Sequence, residues 1–221
     1  MKIYDIKLFQ ELDKTFKDEI NQYAKLVEFQ KGESLFLKDE LMHYFYIIIS
    51  GKVKTYQLNL QNSKEQTIYI LRAGDMFDTI VLLDDKPHDV MYETLDITEV
   101  MQLPIKKMRE WIMTNRILNQ KFFPYLASQM RQVEELATDL SLYDTYHRLI
   151  KLLLQNLNPQ NREKHNLIQD LSHNEIANLI GTVRHVVEKH LHRFKDEGLV
   201  ETSRKHIEIK DIEQLVKNFD S

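Results

Sequence analysis

Apolar residues follow three different rhythms along the chain. Leu8, Phe9, Leu12, Phe16, Ile20 and Tyr23 recur at helical spacing and predict a short amphipathic helix within residues 1–25. From about residue 26 to residue 103 the runs shorten: VEFQ, SLFLK, YFYIIISG, KVKTYQL, QTIYIL, DVMYETL and EVMQL. They are rich in β-branched and aromatic residues and are separated by turn residues, the pattern of an all-β barrel or sandwich. Gly32, Gly51 and Gly74 each fall between two predicted strands, the last between QTIYILR and MFDTIVLL. Glycines confined to turns point to a compact β-roll.

After Pro104 the pattern becomes helical, first in IKKMREWIM and then in a long segment to about Leu140. Asn115 suits the end of one helix or the cap of the next. Phe123, Leu126, Met130, Val133, Ala137 and Leu140 form an a/d seam flanked by polar residues. Such a seam packs on the β-roll or pairs with a second copy; the polar flanks favour a parallel dimer. Pro124 predicts a kink, or a helix that starts there. Another amphipathic helix is expected over 143–157, followed by a polar loop, NPQNREKHN. The chain thus divides into residues 1–114, 115–141 and 142–221.

Composition removes several classes of function. With no cysteine in 221 residues there is no disulfide framework, no Cys-ligated zinc or iron–sulfur cluster and no thiol nucleophile. No apolar run is long enough to span a membrane, and the charged N-terminus does not read as a signal peptide, so a cytoplasmic setting is expected. The net charge of -4 argues against nucleic acid, but it is uneven. From Tyr143 onward basic and acidic residues balance, and seven of the nine histidines lie there. The β region has two histidines, His43 and His88, and no His-x-His pair. No HExxH, Gly-x-Ser-x-Gly or P-loop is present, so an enzyme is not expected.

Residues 172–199 carry the most specific signal. Ser172 and Glu175 fit a capping box. Ala177, Gly181 and Val187 have the offsets of a helix-turn-helix, in which a small residue permits close crossing and a glycine permits a left-handed turn. Val183, Val187, Leu191 and Phe194 form an apolar stripe on the second helix. Arg184, His185, Glu188, Lys189 and His192 lie on its other side. Arg184 and Lys189 can donate to guanine O6 and N7, and Glu188 can accept from cytosine N4. LVETS-RK-HIEIK reads as a two-stranded wing. Ser172, His173, Arg204 and Lys205 are candidates for phosphate contact.

In this order the pieces FQKGESLFLKDE, YFYIIISGKVK, LRAGDMF, the seam and LSHNEIANLIGTVRHVVEKHLHRFKDEGLV resemble the Crp/Fnr family of bacterial transcription regulators, over almost the whole chain. The resemblance implies an α+β protein: an N-terminal cyclic-nucleotide-binding-type β-roll (a double-stranded β-helix), a long dimerisation helix and a C-terminal winged helix-turn-helix. It implies a homodimer on an inverted-repeat DNA operator, and contact with RNA polymerase where the protein activates. The family's recognition helix often reads Arg-Glu-Thr-Val-x-Arg; here Arg184 stands, the glutamate is His185 and the last arginine is Lys189.

The resemblance fails at the effector pocket. Members that bind cyclic AMP carry Phe-Gly-Glu and, about ten residues later, Arg-Ser or Arg-Thr. Here Asp78 matches the glycine, Thr79 the glutamate, Asp89 the arginine and Val90 the small hydroxyl residue. An aspartate in place of the arginine repels a phosphate, so the usual cyclic-nucleotide response is not expected. No cofactor is predicted. The alternative is an effector-gated sensor that binds DNA only when liganded, by haem held through His43 or His88 or by another small molecule in the roll.

Overall fold

The computed structural model describes residues 6–35, 38–158, 166–203 and 206–220. Packing divides the chain into two compact units, one of Met1–Gln57 with Tyr69–Val133, the other of Leu58–Ile68 with Glu134–Ser221.

The first unit opens with turns over residues 6–12 and then helix α1, Lys14–Tyr23. This is shorter than the helix expected from the apolar spacing. Asp13 caps it, its side chain accepting from the Phe16 N–H at 2.9 Å, so the helix starts there. Ile6, Leu8, Phe9 and Leu12 are buried all the same, reaching the core from turns. The elements β1 (Lys25–Phe29), β2 (Ser34–Leu35), α2 (Lys38–His43), β3 (Tyr44–Ser50), β4 (Lys52–Asn59), β5 (Lys64–Arg72), α3 (Thr79–Asp84), β6 (Met91–Thr94) and β7 (Thr98–Pro104) follow, with residues 58–68 of β4 and β5 counting with the second unit. They form an antiparallel sheet of order β1-β7-β3 and a second sheet of order β2-β6-β4-β5.

Strand β3 is buried on both faces, which is why YFYIIIS reads as an unbroken apolar run. Phe45, Ile47 and Ile49 pack into a core shared with α1 and with α4 (Ile105–Thr114), including Trp111 and Met108. Tyr46 alternates to the opposite face. There its ring meets Phe77 edge-on at 6.1 Å, and Phe77 meets Tyr92 of β6 at 5.3 Å. Phe77 thus bridges a strand of each sheet. Gly51 turns β3 into β4 at φ 92°, where a Cβ would lie 2.7 Å from the Ile97 carbonyl oxygen.

The run MFDTIVLL, expected as a strand, is mostly helix. Met76 makes only an isolated bridge to Ile47, and α3 begins at Thr79. Asp78 breaks the extended path with φ 44° and ψ 54° and caps the helix. Arg109 of α4 closes the other end, donating to the carbonyls of Val81 at 2.7 Å and Leu82 at 2.8 Å while pairing with Asp85.

Asn115 does both jobs open to it. It ends α4, and its side chain accepts from the Leu118 N–H at 3.0 Å to start α5, Arg116–Leu142. Pro124 lies inside α5, which does not begin there as one expectation had it. Its ring lies on an exposed face, where water can satisfy the Gln120 carbonyl that loses its helical donor.

The second unit holds α6 (Thr145–Leu157), α7 (His173–Leu179), α8 (Arg184–Asp196), β8 (Val200–Ser203), β9 (His206–Ile209) and α9 (Ile212–Phe219). Leu149, Ile150, Leu153, Ile176, Ala177, Val187, Leu191, Phe194 and Leu215 are buried. Helix α9 was not anticipated; Asp211 caps it and Leu215 anchors it. Residues 58–68 join this unit by specific bonds. Gln66 Nε2 donates to the carbonyls of Asn178 and Leu179 at 3.1 and 3.3 Å, and Asn178 Nδ2 donates to Glu65 Oε1 at 2.8 Å.

Candidate DNA-binding interface

The capping box forms in full. Ser172 Oγ accepts from the Glu175 N–H at 3.2 Å, and the Glu175 carboxylate accepts from the Ser172 N–H. This fixes the start of α7. Gly181 carries the turn at φ 68°, and the Thr182 N–H donates back to the Ala177 carbonyl at 2.9 Å. Helix α8 then packs on α7 through buried Val187, Leu191 and Phe194. Val183 is not part of that stripe: it is the N-cap residue of α8 and 47% exposed. Strands β8 and β9 pair antiparallel from Val200↔Ile209 to Ser203↔His206. Arg204 and Lys205, expected to touch phosphate, lie outside the described residues.

The face of α8 away from the core is polar. Arg184, His185 and Lys189 are exposed and Glu188 half-buried. A groove of about 520 Å³ runs along this face, lined by His173, His185, Glu188, Lys189, His192 and Lys195, with Thr202 of β8 at its side. Cationic side chains therefore outnumber the one carboxylate. Glu188 is held twice: Arg184 Nε donates to its Oε1 at 2.7 Å, and His173 Nδ1 lies 3.5 Å from the same oxygen. The guanidinium, and then the imidazole, hold the Glu188 carboxyl below its ordinary value. Ser172 spends its hydroxyl oxygen on the cap, and His173 is the first residue of α7.

Two family models match this chain. That for the cyclic nucleotide-binding domain spans residues 26–115, and that for the Crp-like helix-turn-helix domain spans residues 147–217. The chain belongs to the Crp/Fnr family. It is 27% identical over 213 residues to a CRP-like cAMP-activated global transcriptional regulator of Mycobacterium tuberculosis, covering 95% of both chains. It is 26% identical over 187 residues to the cyclic AMP receptor protein of Thermus thermophilus, covering 83% of this chain and 82% of that one. The fold resembles that of a CooA mutant from Carboxydothermus hydrogenoformans, with TM-score 0.74 at 22% identity over 92% of this chain and 90% of that one. FixK2 from Bradyrhizobium japonicum matches with TM-score 0.73 at 20% identity over 88% and 96%. A Crp/Fnr protein is a transcription regulator with a helix-turn-helix for DNA, not an enzyme.

Two of the residues that the sequence matched to an effector pocket, Asp78 and Thr79, are bonded to other groups of the chain. Asp78 Oδ1 lies 2.9 Å from His88 Nδ1, and the Asp78 side chain is only 2% exposed. Hydrogen bonding to Asp78 raises the His88 pKa above the ordinary histidine value against the effect of burial, with Asp84 and Asp89 adding to the rise. Thr79 Oγ1 donates to Gln129 Oε1 at 2.9 Å, Gln129 Nε2 donates to Tyr125 Oη at 2.8 Å, and the Met76 N–H donates to the same Oη at 2.9 Å. Val90 is buried and Asp89 exposed. His43 stands exposed at the end of α2. Neither the His88–Asp78 pair nor the Thr79–Gln129 bond was anticipated from the sequence.

Along α5 the seam residues divide. Phe123, Met130, Val133 and Leu140 are 55%, 66%, 43% and 38% exposed, and Ala137 is exposed too. Leu126 turns to the first unit's core beside buried Leu118 and Phe122.

Proposed function

We propose that the protein is a cytoplasmic, homodimeric regulator that reads an inverted-repeat operator through α8 and does so without cyclic nucleotide. The observation that carries DNA reading is the two-sidedness of α8. Val187, Leu191 and Phe194 fix it to a capped α7, and Arg184, His185, Glu188 and Lys189 are left as a reading surface. A helix so presented enters a major groove with its N-terminal half against the bases. His173 and Ser172 at the start of α7, with Arg204 and Lys205, supply phosphate contacts that set register.

Pairing through α5 is supported by its exposed apolar row, which packing on the β-roll would have buried. Two copies joined there present two α8 helices to half-sites about one helical turn apart. On this reading residues 1–114 are the sensor-type domain, 115–141 the dimerisation segment and 142–221 the DNA-binding domain. Independence from cyclic nucleotide rests on Asp89 in the phosphate-binding arginine's position and on Thr79 already bonded to Gln129. Where the protein activates transcription, RNA polymerase is its further partner.

Selection of random duplex DNA by the purified, ligand-free protein tests this. Recovery of a palindrome without additives is expected. Recovery only after a small molecule is supplied would replace independence with gating, and no selective recovery under either condition would overturn DNA reading.

A further inference from the structure

The base-facing surface of α8 contains a link to α7 that charge counting does not reveal. Arg184 and Glu188 are four residues apart on α8, and the bond between them uses Arg184 Nε. A guanidinium bound through Nε keeps both terminal nitrogens free, and it is that pair which matches guanine O6 and N7. Glu188 therefore aims the arginine while its own Oε1 is engaged. The same oxygen faces His173 Nδ1 of the first helix, 3.5 Å away. All three groups are partly exposed, the His173 and Glu188 side chains at 30% and 36% and Arg184 at 67%, so the link stands at the surface that meets the bases.

Resting on the reading of α8 as the DNA-reading helix, we propose that His173 and Glu188 are positioning residues for Arg184, and that the charge on His173 sets how strictly Arg184's base pair is read. Histidine is the side chain that changes charge between about pH 5 and 8. Charged, His173 holds the Glu188 carboxylate from α7 while Arg184 holds it along α8. The arginine fork then keeps one direction. Neutral, His173 releases one of the two restraints, and Glu188 swings with Arg184 as a mobile pair.

The other charged groups near this link act differently. On α8, His185, Lys189, His192 and Lys195 line the same groove. On α7, Glu175 is tied to the Ser172 N–H by the capping box. From the wing strand, Thr202 carries no charge. Protonating His185 or His192 adds positive charge toward phosphates generally, which strengthens binding to every sequence alike. Only His173 acts through Glu188, so its signature is a change in discrimination between sequences and not in affinity alone.

The test uses the full chain and two duplexes: the selected operator, and the same operator changed at the base pair whose preference is lost in Arg184→Ala. The ratio of the two Kd values is measured at about pH 6 and about pH 8 at constant salt. In the unmodified protein the ratio is expected to be roughly two- to fivefold larger at the lower pH, the size of a partly exposed ion pair. His173→Gln keeps a donor without the charge, and its ratio should stay at the high-pH value while its overall affinity still rises on acidification. Glu188→Gln, on α8 alone, should give a low ratio at both pH values. An unchanging ratio in the unmodified protein, or a pH-dependent one surviving in either variant, would overturn the proposal. Loss of all sequence preference at both pH values would instead overturn the reading of α8.

Discussion

His88 Nδ1 lies 2.9 Å from Asp78 Oδ1, joining a loop histidine to the residue that caps α3 in a left-handed conformation. The other Asp78 oxygen is buried with no hydrogen-bond partner among the described residues. The hydrogen bond to Asp78, and then the charges of Asp78, Asp84 and Asp89, hold His88 above its ordinary value against the effect of burial.

A stability test follows from the sign of that shift. A histidine whose pKa is higher folded than unfolded contributes stability that is complete below the unfolded value, about 6.5, and is lost as pH rises through the folded value. The urea midpoint of the unmodified protein, less that of His88→Gln, should be largest in mildly acidic buffer and shrink as pH rises past that window. A difference that is flat, or grows with pH, would show that the pair is not charged in the folded protein.

The same corner of the roll predicts the response to cyclic AMP. A nucleotide bound at about 100 times its Kd would raise Tm by roughly 5–10 °C in a chain of this size. No shift is expected at millimolar cyclic AMP or cyclic GMP on the proposed reading, in which Asp89 takes the place of a phosphate-binding arginine, and Thr79 is already bonded to Gln129. A shift in that range would show that the roll binds the nucleotide by other residues.

Arg184→Ala should weaken operator binding by about 1–3 kcal/mol and relax one base position, leaving the salt dependence nearly unchanged. Quantitative binding to a panel of single-base operator variants reads this directly. A uniform loss across all sequences with a shallower salt slope would make Arg184 a phosphate contact.

On α5, Met130→Glu places a charge in the middle of the exposed row, where Met130 is 66% accessible. The fold of one chain should be untouched, while sedimentation velocity should show a shift from dimer to monomer and the palindromic operator should bind more weakly. An unchanged dimer would move the subunit contact away from this seam.

What the sequence showed and what it hid divide by distance along the chain. The capping box of Ser172 and Glu175 and the turn at Gly181 are local, fixed by residues a few positions apart, and both stand as the spacing implied. The six residues TIVLLD read as a strand by their apolar and β-branched content, but Asp78 caps one end and Arg109 the other, and they are helix. Val183 matched the apolar stripe by spacing, but as the N-cap its backbone is extended and its side chain leaves the helix face. The Thr79–Gln129 bond spans 50 residues and the Gln66–Asn178 bond 112, beyond any periodicity. The exposed polar face of α8 was legible in its residues, whereas the contact of His173 with Glu188 from the preceding helix was not.

Gly181 offers the sharpest check on the helix-turn-helix geometry. Its φ of 68° lies where an L residue is strained by about 1–2 kcal/mol. The space is also taken: a Cβ there would lie 2.5 Å from Leu140 Cδ2, 2.8 Å from Gln66 Oε1 and 3.1 Å from an Arg148 nitrogen. Leu140 and Gln66 sit on side chains that can rotate, but Gln66 is the residue that bonds the Asn178 and Leu179 carbonyls at the end of α7. Moving it exchanges a steric clash for lost hydrogen bonds. Gly181→Ala should therefore destabilise the protein by about 2–4 kcal/mol, the strain and the displaced contacts adding. Gly198→Ala shares the strain, at φ 72°, but has nothing within 4 Å of the new Cβ, and should cost about 1–2 kcal/mol. Denaturant unfolding of the two variants side by side separates strain from crowding. Equal losses would mean that the space around Gly181 is not filled as described.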